Sequence, residues 1–245
     1  MVNKGKITLT CLKERESLLS NNIKSLAKVC DDTFGSPSLF FHREAIKLCR
    51  SNKFLSEEHI RTIYAGLCAW GMHRMGKTST KLEEYDTFML TILEHRDQFE
   101  KFRYVKIEKL TREEFYKIID ELADLVFSLR VSLSSVNLVS NTKTVAHILP
   151  DLIPFMDRNY TLCFLLDRSA NTQISLNPQN EKQYFRNVME LLFIFSHDKS
   201  VLPHLSMHSN PWATSIPKIF DNCIIAYQNM QNGNDKTNDE PKGEN

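Results

Sequence analysis

SEEHIRTIYAGLCAWGMHRMGKTST, residues 56–80, can be read into two different folds. Gly71, Gly76, Lys77 and Thr78 spell the G-x-x-x-x-G-K-[ST] pattern of a phosphate-binding loop. Such a loop lies between a buried strand and a helix, and its backbone N–H groups wrap the phosphates. The residues in front of it point elsewhere. Ser56 followed by Glu57 and Glu58 is a helix start, with a capping hydroxyl and acids in the first turn. Ile60, Ile63, Tyr64, Leu67 and Trp70 then fall on one helical stripe, which Gly71 ends in a left-handed cap. A helix leading into the loop takes the place of the strand that phosphate binding needs. Gly71–Thr78 is therefore read as a helix end followed by a polar loop, and nucleotide binding there is the last of the functional readings.

Helical spacing recurs along the chain. Leu12, Leu19, Ile23, Leu26 and Cys30 predict one helix over roughly residues 11–30. FFHREAIKLCR continues a second, with Ser36 as its cap and Pro37 in its first turn. Tyr85, Phe88, Ile92 and Phe99 mark another. Thr111 and Glu114 form a capping box ahead of the stripe Phe115, Ile118, Leu122, Val126 and Leu129. VSLSSVNLV, residues 131–139, fits helix or strand. Two further stripes run through Phe185–Phe195 and Ile219–Tyr227.

The expected fold is all-α, a multi-helix globular protein of about eight helices. Residues 1–228 form a single helical domain or two lobes, about 1–130 and 140–228. Residues 229–245, NMQNGNDKTNDEPKGEN, form a disordered tail by composition.

The 245 residues are 42% apolar and 25% charged, as in an ordinary globular chain, and glycine is scarce, at 7, which leans towards helices. The net charge is +1. The tail carries two lysines against four acids, a contribution of −2 that leaves +3 on the remainder. That balance neither demands nor excludes a nucleic-acid partner. Six cysteines contain no C-x-x-C pair, which removes the compact zinc and redox motifs. No apolar run approaches 18 residues, so the expectation is a cytoplasmic protein with no membrane contact.

NTKTVAHILPDLIPFMDRNYT, residues 141–161, carries the most chemistry. It reads as a short helix with Lys143 and His147, a turn bracketed by Pro150 and Pro154, and a second helix opened by Asp157. An amine can attack a sugar carbon, and a carboxylate can steady the developing positive charge. Lysine then aspartate around a short apolar link resembles the core of helix-hairpin-helix DNA glycosylases, and implies a catalytic Lys143–Asp157 pair acting on DNA. The interval of 14 residues is shorter than in that family, and no glycine-rich hairpin precedes Lys143.

FFHREAIKLC, YAGLCAWGMHRMG, the 141–161 segment and TSIPKIFDNCIIAY are together similar to an uncharacterised family of prokaryotic all-helical proteins. That resemblance brings no activity with it.

Arg43, Arg74, Lys77 and Arg158 are candidates for contacts to phosphate or another anion, with His42 and His73 beside two of them. The alternative is that these histidines are half-buried, each with one ring nitrogen bonded internally. His204 and His208 stand four apart with His197 seven before, but the full ligand set of a metal site is missing. No metal and no cofactor are expected. The sequence thus leaves a nucleic-acid-associated protein on one side and a non-catalytic interaction or scaffold protein, with a protein partner, on the other.

Overall fold

Asn21 and Asn22 divide the first expected helix in two. The structure, a computed structural model, describes residues 7–33, 38–73, 80–201, 203 and 211–237. Within these the chain forms eleven α-helices, three more than expected: α1 Leu9–Ser20, α2 Ile23–Thr33, α3 Ser38–Cys49, α4 Glu57–Leu67, α5 Tyr85–Glu94, α6 Arg96–Phe102, α7 Arg112–Ser128, α8 Leu138–Ile148, α9 Cys163–Leu165, α10 Glu181–Ser196 and α11 Ile216–Thr237. The undercount has local causes. One apolar stripe runs on through the Asn21–Asn22 turn and another through His95, which separates α5 from α6. The single turn of α9 is too short to leave a period.

Ser36 and Pro37 lie outside the described residues, but the caps expected on α4 and α7 are in place. Ser56 Oγ accepts from His59 N–H at the start of α4, and Thr111 with Glu114 closes both halves of its capping box on α7. Residues 131–139 are neither helix nor strand throughout: Ser132 makes an isolated antiparallel bridge with Leu82, and α8 starts at Leu138. Helix α11 continues through Thr237, so it takes in the first part of the segment 229–245.

The turn at Gly71 follows α4 directly. Cys68–Met72 forms one wide π-helical turn in which Gly71 has φ 76° and ψ 20°, the left-handed conformation of a helix end. Its N-terminal neighbour is helix, not strand. Arg74, Lys77 and Thr78 lie outside the described residues. A Cβ at Gly71 would meet nothing within 4 Å, so only backbone strain opposes a side chain there. Gly71→Ala is expected to cost about 1 kcal/mol and Gly71→Asn less, measured by urea unfolding.

Buried apolar residues from Leu12 to Ala226 make one contiguous core. Chain ends and middle share it: α1 packs on α10, α2 on α11, and α8 on α3, α4 and α7. Among the described residues no helix is long and apolar enough to cross a membrane.

Candidate functional site

Helix α8 ends at Ile148 with Leu149 as its C-cap, and the Pro150–Pro154 turn leads the chain back to it. Asp157 then caps the next helical turn, Arg158–Leu162, its Oδ1 accepting from Asn159 N–H at 2.7 Å. Its other oxygen, Oδ2, lies 3.0 Å from Lys143 Nζ. The two residues picked from the sequence therefore do meet, with side chains 17% and 28% exposed. Asp157 is a helix cap and the partner of Lys143 at once. Burial pushes its carboxyl up, but the Lys143 ammonium and the backbone N–H donors outweigh this and hold it below the ordinary value.

Behind the pair lies a chain of neutral histidines. His147 Nδ1 is 2.8 Å from the Lys143 carbonyl oxygen, which can only accept, so Nδ1 carries the proton and Nε2 does not. His147 Nε2 must then accept from His42 Nδ1, 3.3 Å away. His42 Nε2 in turn accepts from the Thr214 hydroxyl at 2.9 Å. The hydrogen bonds run one way, from the segment before α11 through α3 to α8. Both rings are buried, and burial lowers His42 to about 2 and His147 to about 3. Instead of being half-buried with one bonded nitrogen, His42 is fully enclosed and uses both.

Aromatic rings enclose this chain. Trp212 stacks on His42 at 5.2 Å, Trp70 lies 5.2 Å from His147, and Phe155 stands edge-on to His147 at 4.9 Å. The Lys143 ammonium sits 5.9 Å from the Trp70 ring centre. A second ammonium, Lys218 on α11, lies 5.0 Å from Phe155 and 5.3 Å from Trp212. It pairs with Asp221 one turn on, at 2.5 Å, with side chains only 7% and 5% exposed. Burial pushes the Asp221 carboxyl up, and the Lys218 ammonium pulls against it.

The four segments FFHREAIKLC, YAGLCAWGMHRMG, 141–161 and TSIPKIFDNCIIAY thus each send side chains to one place. His42, Trp70, the Lys143–Asp157 pair and the Lys218–Asp221 pair are their contributions. Trp70, Trp212, Phe155, Thr214, Lys218 and Asp221 were missed as site residues, since each fits an ordinary helix or loop. One local signal did exist. Lys218 stands in the first turn of α11, where the helix dipole disfavours a cation.

The remaining candidates lie apart in character. Arg43 and Arg158 are exposed, next to inward-facing His42 and to Asp157. His73 is exposed, with Nδ1 3.0 Å from Thr80 Oγ1. His197 ties α10 down, its ring nitrogens 2.8 Å from the Phe193 carbonyl and 2.9 Å from that of Leu110. His204 and His208 fall outside the described residues, among which no cluster of three or more metal-ligating side chains occurs. Comparison of the chain with protein-family models, with curated proteins and with solved structures finds no match.

Proposed function

We propose that the protein processes nucleic acid, with Lys143 as an amine nucleophile at a sugar carbon and Asp157 as its carboxylate partner. The observation that carries this reading is the 3.0 Å contact between Lys143 Nζ and Asp157 Oδ2, part-exposed and beside the Trp70 ring. The ammonium sheds its proton to solvent before it attacks, and Asp157, held below its ordinary value, stays a carboxylate. The amine then forms a bond to C1′, and the electron pair of the breaking C1′–base bond leaves with the base. The negative carboxylate faces the positive charge that grows on the sugar. Trp70 offers a ring face on which an unpaired base can stack.

On an abasic sugar the same amine condenses with the C1′ aldehyde and loses water, giving an imine that borohydride reduces to a stable adduct. Wild-type protein is expected to be trapped on an abasic duplex. Lys143→Met is expected to reduce trapping at least 100-fold, and Asp157→Asn at least 10-fold, with the cap at Asn159 kept. Fluorescence anisotropy on intact and abasic duplexes, at low and high salt, gives the binding side. Absence of both adduct and binding at low salt overturns the reading and leaves a protein–protein interaction module.

A further inference from the structure

We propose that the two lysine–aspartate pairs form a single receptor for a phosphate ester, in which Lys143 and Lys218 are the two cations that take the phosphate. This rests on the reading of Lys143 given above and names the group its substrate must carry.

The two pairs share one electrostatic environment. Lys143 and Lys218 both act on the His147 ring, and Lys143 and Asp157 both act on Asp221. Both ammoniums also lie against the same group of rings, Trp70 for one and Trp212 with Phe155 for the other. Packing alone gives no reason for a charged pair here. An enclosed ion pair is commonly replaced by apolar residues of similar volume with no loss of stability. Lys218 is costly a second time, because it stands where the α11 dipole repels a cation and favours an anion. Ser215 fixes that first turn, its Oγ 3.3 Å from Lys218 N and its carbonyl accepting from Ile219 N–H at 2.9 Å.

In the ligand-free protein the carboxylates keep the lysines charged and in place. An incoming phosphate competes with the carboxylates for the ammoniums, since it carries more acceptor oxygens and more charge than either. The pair Lys143–Asp157 is the partly open half of the receptor and Lys218–Asp221 the enclosed half. A ligand therefore meets Lys143 first. Once Lys143 turns to the sugar carbon as the free amine, Lys218 is the cation left to hold the phosphate next to that sugar.

The test uses glycerol 3-phosphate, which has no carbonyl to trap, with glycerol as control, and in parallel the abasic duplex. Lys218→Met alone strands a buried carboxyl, so the informative variant is Lys218→Met with Asp221→Leu, which removes the pair together. Titration calorimetry is expected to show wild type binding glycerol 3-phosphate and not glycerol, and the double variant binding it at least 10-fold more weakly. On the duplex the double variant is expected to lower the slope of log K against log[salt] by about one. A folded double variant that matches wild type in both assays overturns the proposal. Borohydride trapping tells the two readings apart. Adduct formation without phosphate dependence leaves Lys143 catalytic and sinks the receptor. Phosphate binding through Lys218 without any adduct keeps the receptor and sinks the catalytic reading. Weakening on glycerol 3-phosphate alone assigns the receptor to small phosphate monoesters, and weakening on both probes assigns it to nucleic acid as well.

Discussion

Acidification from pH 6.5 to about 5 is expected to remove up to about 4 kcal/mol of folding stability. Burial lowers three histidines below their ordinary 6.5: His42 to about 2, His147 to about 3 and His59 to about 4. Below pH 6.5 the unfolded chain takes up protons at these rings while the folded protein refuses them, so stability falls as pH falls. Each proton withheld costs about 1.4 kcal/mol per pH unit. Glu16 works in the opposite direction. Burial and the nearby Asp198 charge raise its carboxyl to about 7, so between 7 and its ordinary 4.5 the folded state binds the extra proton. Three histidines against one glutamate leave two net protons, or about 4 kcal/mol over 1.5 pH units. Asp221, raised by burial, works in the same direction as Glu16. For a protein of ordinary stability that is a large fraction of the total. Urea unfolding at pH 7.5, 6.5 and 5 measures it, and a midpoint that stays level or rises on acidification contradicts the buried neutral chain.

Lys218→Met is expected to cost about 3 kcal/mol, and adding Asp221→Leu to recover most of it. The single change leaves a buried carboxyl without its ion-pair partner. Much of the loss is the cost of holding that group away from water. The pair of changes removes both charges and restores apolar contact, which is why the two effects do not add. A double-mutant cycle in urea reads the coupling directly. If Lys218→Met alone unfolds with the wild-type midpoint, then water reaches Asp221 and the enclosed pair is not what the structure describes.

The parts of this architecture visible in the sequence are those governed by short-range rules. Ser56 on α4, Thr111 with Glu114 on α7, and Asp157 after the two prolines are caps, and a cap is defined within four residues. The left-handed Gly71 is of the same kind. Lys143 and Asp157 were within reach because only one turn of chain separates them. His42 was not, since its partners are 105 and 172 residues away and nothing near it in sequence distinguishes an inward ring from a half-exposed one. Trp212 was hidden for the same reason, whereas Lys218 has its partner three residues on and only its burial was out of view. Counting helices failed at Asn21–Asn22 and His95, where hydrophobic residues on both sides of a break happen to keep phase.

The position of α11 also dictates when the site can exist during synthesis. Trp212, Thr214, Lys218 and Asp221 follow every other member of the cluster along the chain. While a ribosome is still translating them, His42 has no hydroxyl for its Nε2 and the ring group lacks one wall. A nascent chain that has already formed α1 to α10 therefore lacks the Trp212 and Thr214 side of the histidine chain.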